Sequence, residues 1–299
     1  MKDHVIPAVP AKVRERRAVK PARSLRPSRI VGRLFLYLFL ILLAVLCFTP
    51  FYLMIINATR STVEINRGLS LIPGKSLIDN YIAMQQSMNI WKGFLNSLIV
   101  AVPSTLLAAY FGALTAYAFS KFNFKGNRAL FWVVLGTMMI PVQLGVIGYF
   151  QMAVTLRLVN TYWVLILPSI AAGSTVFFLK MYMDANLDSA LLEAARVDGS
   201  SELGIFHRIV LPISLPGIAT MSILNFIFTW NNYLTPLVML FDKNKFTLPI
   251  LVALVKGTYK QNLGASYLAV AISIVPIMIA FIVFSNYIIA GITAGALKE

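Results

Sequence analysis

The sequence predicts an all-α membrane protein that crosses the bilayer six times, and three observations predict it. Of 299 residues, 59% are hydrophobic and only 12% charged, with a mean hydropathy of +0.78. Such a chain has too little polar surface to wrap a water-soluble core. Its apolar residues gather in six runs, near 31–56, 93–119, 129–150, 162–181, 214–240 and 266–290. Each is close to the ~20 residues that a helix needs to cross hydrocarbon. Finally, none of the six carries an ionisable residue near its centre, where a charge is most costly. Pro103, Pro141, Pro168, Pro236 and Pro276 fall inside runs, which membrane helices tolerate when neighbours re-satisfy the freed carbonyl.

The first 29 residues read as a basic cytoplasmic arm, with 30–299 as the membrane domain. Nine Lys or Arg side chains lie in the arm against two acids. Seven prolines and alanines between Pro7 and Ala22 leave little for a folded nucleic-acid module, so the net charge of +15 reflects topology and contact with anionic lipid. The run 31–56 is too long for a signal-peptide core of roughly 7–15 residues, and no small-residue cleavage site closes it. It is expected to stay as the first helix, with the single cysteine, Cys47, as a small buried residue. With the N-terminus inside, 17 basic residues fall inside against nine outside. This bias predicts both termini in the cytoplasm, against the pull of Lys243, Lys245, Lys256 and Lys260 in the last outer loop.

Between the first two runs, Leu77, Tyr81 and Met84 keep helical spacing and Trp91 sits where an interfacial aromatic belongs. The segment is expected to be a helix along the outer face. Pro73-Gly74-Lys75-Ser76 echoes a phosphate-binding loop, but the glycine due five residues before Gly74 is Leu69. No nucleotide site is expected in this chain, and no catalytic residue. His4 and His207 are too far apart in sequence to suggest a metal site.

The membrane runs do hold uncharged polarity: Asn96 and Ser97 in the second, Gln143 in the third, Asn225, Thr229, Trp230, Asn231 and Asn232 in the fifth. Amides in hydrocarbon need partners, so one reading is hydrogen bonding between helices. The other is a wet path for a polyhydroxylated solute, in which Gln143, Asn225, Thr229, Asn231 and Asn232 meet hydroxyls and Trp230 offers an aromatic face to cover a ring.

The longest polar interval runs from Glu193 to Pro216, most of it in a hairpin spanning 184–213. Asp188 or Ser189 can cap a first short helix, along which Leu187, Ala190, Leu191 and Ala194 recur at helical spacing. Gly199 suits its stop, where a left-handed backbone is easiest for glycine. Ser200 or Ser201 can cap a second helix, with Glu202 in its first turn and Leu203, Phe206 and Val210 as its stripe. Pro212 is expected to end it. A half-apolar hairpin of this kind either packs on its own membrane domain or docks a soluble partner.

Glu193-Ala194-Ala195, three residues, Gly199, nine residues, Ile209, one residue and Leu211-Pro212 resemble the EAA motif without a mismatch. That motif belongs to membrane subunits of bacterial ATP-binding-cassette importers. The stretches Phe94–Ser97, Ala116–Phe122, Met139–Pro141, Trp230–Leu234 and Gly291–Gly295 extend the resemblance. They are similar to the sugar-importer branch and, within it, to the smaller maltose-type permease.

The resemblance implies the type I ABC importer permease fold, in the bacterial inner membrane, paired with a second homologous permease. It also implies two ATP-binding-cassette ATPase subunits, where ATP and magnesium would reside, and a solute-binding protein that delivers a sugar or oligosaccharide. No cofactor is implied in this chain. Glu193, Ala194, Ala195, Asp198, Gly199, Ile209, Leu211 and Pro212 then mark the ATPase-coupling element. Glu193 and Asp198 are its expected polar contacts, and Leu191, Ala194 and Ala195 its packing face. The tail Gly291–Glu299 resembles the family's C-terminal extension. A single-chain secondary transporter would need an intramembrane coupling ion site, and a membrane enzyme a His, Asp or Glu cluster; the sequence offers neither.

Overall fold

The computed structural model describes residues 27–87, 89–258 and 262–296. The arm before Pro27, Lys260 and the end of the tail from residue 297 lie outside the described residues. The chain divides into two units, Met1–Pro50 and Phe51–Glu299. In the first, the described chain belongs to one helix, α1 (Pro27–Ala58), which runs on into the second. Its apolar side chains from Leu34 to Leu46 are exposed all round, and so is Cys47. The expectation of a buried Cys47 is thereby corrected: a helix with no polar stripe has no preferred core side, and hydrocarbon suits every face of it.

The second unit opens with α2 (Thr62–Asn66), closed by a capping box in which Ser61 and Glu64 satisfy each other's backbone N–H. Next comes α3 (Leu77–Ser87), the helix that the spacing predicts, with Met84 fully buried against the last helix. Trp91 Nε1 donates to the Tyr81 hydroxyl at 3.0 Å. In the phosphate-loop echo, the Gly74 N–H donates to Thr59 Oγ1 at 2.8 Å and the Ser76 N–H to the Thr59 carbonyl at 2.9 Å. Those donors are already engaged within the chain.

The hub is α4 (Ile90–Lys121). It is followed by α5 (Asn127–Met139), a 3₁₀ turn (Val142–Gly145) and α6 (Val146–Thr155), then α7 (Trp163–Ile166), a 3₁₀ turn (Leu167–Ala171) and α8 (Gly173–Asn186). After α9 (Ser189–Val197) and α10 (Glu202–Ile205) comes a π turn (Phe206–Val210) that leads into α11 (Leu211–Trp230). The chain ends in α12 (Leu234–Met239), α13 (Leu248–Thr258) and α14 (Leu263–Ala296). Helix α4 packs on α8, α11 and α13, and α14 packs on α11, α13 and α3. Small residues bring these helices close: a Cβ at Gly112 would lie 2.7 Å from Thr175 Cγ2 of α8.

Five helices among the described residues are long and apolar enough to span a membrane: Gly32–Ala58, Ile90–Lys121, Trp163–Asn186, Glu202–Trp230 and Leu263–Ser285. The sixth predicted run is a pair, Asn127–Met139 and Val142–Thr155, bent by 92°. Pro141 explains the break, because it forces Ile140 into extended backbone, ψ 120°. The fifth run also differs from the expected 214–240. It begins at Glu202 and stops at Trp230, so Pro212 does not end the second hairpin helix. The Leu211 N–H bonds the Phe206 carbonyl in the π turn, and Pro212 falls in the first turn of α11, where its missing N–H costs least.

Candidate functional site

The hairpin forms because its ends are capped and its inner side is apolar. Asp188 accepts from the Ala190 N–H at 2.9 Å and Ser201 from the Gly204 N–H at 3.2 Å, which selects one residue from each predicted pair of caps. Gly199 closes α9 with φ +81°, the left-handed value expected of it. Inside the elbow, Leu192, Ala195, Ile205, Phe206 and Val210 join Ala113, Ala116, Tyr117, Leu179 and Met183 in one dry cluster. The hairpin is therefore seated on α4 and α8.

Polar contacts pin the seat. Lys121 Nζ donates to the Leu187 carbonyl at 2.6 Å, and Ser120 Oγ to Asp184 Oδ1 at 2.6 Å. Glu202 takes Arg196 Nε at 2.7 Å and the Tyr117 hydroxyl at 3.1 Å, so one carboxylate joins α9, α10 and α4. Its hydrogen bond raises the Arg196 guanidinium above its ordinary value, and the same guanidinium lies 5.6 Å over the Phe122 ring. The stretch Ala116–Phe122 thus acts as the hairpin's seat.

The side of the hairpin facing away from this seat is open. Glu193, Ala194 and Asp198 are exposed, as are Ala190, Leu191 and Leu203, and Val197 is 88% exposed. Ala195 is the exception in the expected packing face. It lies three residues after Leu192 on the inner stripe and is 9% exposed. Val197 takes its place on the outer side, at i+3 from Ala194 and beside the turn. Its spacing from Leu191 and Ala194 was the available signal. Ile209 and Leu211 are half-buried against the cluster, and Pro212 is exposed.

Glu202 to Trp230 is one helix of roughly 43 Å, so the other group of candidates lies at the opposite end of the unit. There an open cleft of about 370 Å³ is lined by Val142, Gln143 and Val146 on one side. Ile227, Phe228 and Asn231 to Thr235 line the other. That volume suits a small ligand. The cleft unites Gln143, Asn231 and Asn232. Gln143 is exposed; Asn231 Nδ2 donates to the Ile227 carbonyl at 3.0 Å, and Asn232 Oδ1 accepts from the Thr235 N–H at 3.3 Å.

The other three do not line it. Asn225 Nδ2 donates to Thr175 Oγ1 at 2.8 Å, a bond between α11 and α8. Thr229 is half-buried beside the cleft. Trp230 is 1% exposed; its ring stacks on Phe226, meets Phe94 edge-on and donates to the Ser273 carbonyl at 2.9 Å. Its faces are covered, so it has none to offer a sugar ring. Asn96 and Ser97 likewise bond backbone, at residues 244, 246 and 248. Among the described residues no three His, Cys, Asp or Glu side chains are grouped to hold a metal ion.

Comparison with known proteins agrees with this architecture. A chain in the crystal structure of a bacterial ABC transporter involved in the import of the acidic polysaccharide alginate superposes with a TM-score of 0.74 at 23% identity. The match covers 90% of this chain and 99% of that one, and it shows the fold. The arabinooligosaccharides transport system permease protein AraQ of Halalkalibacterium halodurans is 38% identical over 253 residues, 83% of this chain and 90% of that protein. The trehalose/maltose transport system permease protein MalG of Thermococcus litoralis is 33% identical over 277 residues, 91% of this chain and 99% of that protein. Residues 108–293 match the model of the binding-protein-dependent transport system inner membrane component, a region that holds both the hairpin and the cleft. The chain belongs to the family of binding-protein-dependent transport system inner membrane components.

Proposed function

We propose that this chain forms half of the translocation pathway of an ATP-driven sugar or oligosaccharide importer. A second, homologous permease supplies the other half. A solute-binding protein delivers the sugar from outside, and two separate ATPase subunits hold ATP and magnesium. The sugar class is supported by relatives described as arabinooligosaccharide and trehalose/maltose permeases. The hairpin faces the cytoplasm in this reading, with both termini on its side, and it carries the coupling role.

The observation that carries the proposal is the hairpin's two-sidedness. One side is locked to α4 and α8, and the other leaves Val197, Leu191 and Leu203 open beside Glu193 and Asp198. An apolar patch rimmed by charge marks a surface for a protein partner. A capped, seated hairpin passes a push into the membrane helices, whereas a loose loop would absorb it. Motion of the ATPase pair then reorients the helices around the amide-lined cleft and opens it to one side at a time.

Gly199→Asp tests this. The position has positive φ, which costs a side chain roughly 1 kcal/mol. A Cβ there meets nothing within 4 Å in this chain, so any further penalty comes from a partner. The variant is expected in the membrane at near-normal amount, with poor ATPase co-purification or stimulation and little sugar uptake in proteoliposomes. Normal uptake would remove the coupling role from the hairpin.

A further inference from the structure

We propose that Asn160 is a positioning residue that clasps the two walls of the amide-lined cleft at their far ends and so sets their spacing. Its importance for transport rests on the reading of that cleft as the substrate path. One wall runs from the turn Val142–Gly145 through α6 into the connection 156–162, which carries Asn160. The other runs from the end of α11 through Asn231 and Asn232 into α12, and on to the strap Phe241–Lys245.

Four hydrogen bonds join the walls at Asn160. Its N–H donates to the carbonyl of Met239, the last residue of α12, at 2.8 Å. Its Oδ1 accepts from the N–H groups of Phe241 and Asp242, at 3.1 and 3.0 Å. Its carbonyl accepts from Lys245 Nζ at 2.8 Å. The backbone is left-handed, φ 60°, a conformation in which asparagine is enriched among non-glycine residues. Beneath the clasp Met239, Ala153 and Val164 form a small dry cluster, and Phe150 meets Phe241 edge-on at 6.5 Å.

The far end of the strap has a separate anchor. Lys92 Nζ donates to Asn244 Oδ1 at 2.7 Å, and Asn96 Nδ2 to the Asn244 carbonyl at 2.9 Å, both from α4. Asn160 therefore refers α12 to α6, while Lys92 and Asn96 refer the strap to the hub helix. Losing the two Oδ1 bonds loosens one wall against the other, which the backbone bonds and the apolar cluster still hold, and leaves the strap attached. The expected result is a looser cleft in a folded protein.

The test uses the complete importer in proteoliposomes, in a Cys47→Ser background, with spin labels at Val154 of α6 and Leu237 of α12, both exposed positions. Asn160→Gly keeps the left-handed backbone and both backbone bonds but loses Oδ1. Asn160→Asp keeps Oδ1. The Gly variant should broaden the distance distribution between the labels and lower uptake about tenfold at sub-saturating binding protein, the factor of about 1.4 kcal/mol. The Asp variant should restore both, at unchanged protein level and subunit co-purification. An unchanged distribution in Asn160→Gly overturns the clasp. A broadened distribution with unchanged uptake upholds it and counts against the cleft as the substrate path.

Discussion

The hairpin and the cleft occupy opposite ends of one helix, and they are built in opposite ways. The hairpin's inner side holds Leu192, Ile205, Phe206 and Val210, none more than 1% exposed, and its polar contacts close on one another around Glu202. The cleft is bordered by broken backbone: the turn before α6, the stop after Trp230 and the short α12. Irregular backbone at membrane depth is tolerated where it is buried in protein or lines a cavity. In the proposed importer the difference corresponds to two mechanical duties. A part that passes force must have one conformation, and a part that lets solute by must be able to leave it.

Substitutions can break this comparison, and the largest effect should come from Phe206→Ala. Phe206 is fully buried and packs against Tyr110 and Tyr117, so its loss should cost about 3–5 kcal/mol. A lower unfolding temperature of the purified complex, together with reduced ATPase coupling, is the expected outcome. Arg196→Met comes next. The Arg196 and Glu202 side chains are 36% and 46% exposed, so the ion pair contributes about 1 kcal/mol at most. Coupling of ATPase activity to binding protein should weaken more than stability does. A double-mutant cycle with Glu202→Gln isolates the pair, and a zero interaction term would show that it does not hold α9 to α10.

Smaller effects sharpen the contrast within the membrane. Asn225→Ala removes the bond to Thr175, worth on average about 0.6 kcal/mol between membrane helices. It should lower thermal stability slightly and leave the apparent KM for uptake alone. Gln143→Ala should do the reverse, with stability changed by less than about 0.5 kcal/mol and a raised apparent KM. If both variants behave alike in the two assays, the division between packing amides and cleft amides fails.

Much of the hairpin was legible because local chemistry decides it. Caps, a left-handed glycine and an apolar stripe each act within a few residues, and Asp188, Ser201 and Gly199 all behave as their types dictate. Which apolar side faces in was not legible. Leu191 and Leu192 are adjacent and chemically alike, and only the position of α4 selects Leu192. The cleft was legible as composition but not as geometry. Six polar candidates were visible, yet whether an amide meets a neighbouring helix, as Asn225 does, or open space, as Gln143 does, depends on helix rotation about contacts far away in sequence. Asn160 left a fainter trace, since an asparagine between two apolar runs is ordinary until its backbone angle is known. Apolar length placed the spans well, except at prolines 141 and 212, which acted through backbone geometry that hydropathy does not contain, and after Trp230, where the apolar run continues but the helix does not.

The π turn that carries the chain past Pro212 has a further consequence. Because the hairpin's second arm and the fifth span form one helix, with the π turn and Pro216 as its softer points, a tilt at Glu202 is carried along the helix towards Trp230. Over a rod of about 43 Å, a tilt of about 5° displaces the far tip by roughly 4 Å, more than the diameter of a water molecule. A displacement of that size is on the scale of a solute's hydration shell. In the proposed importer such a rod ties the phase of hairpin and cleft together, since its two tips move at the same moment.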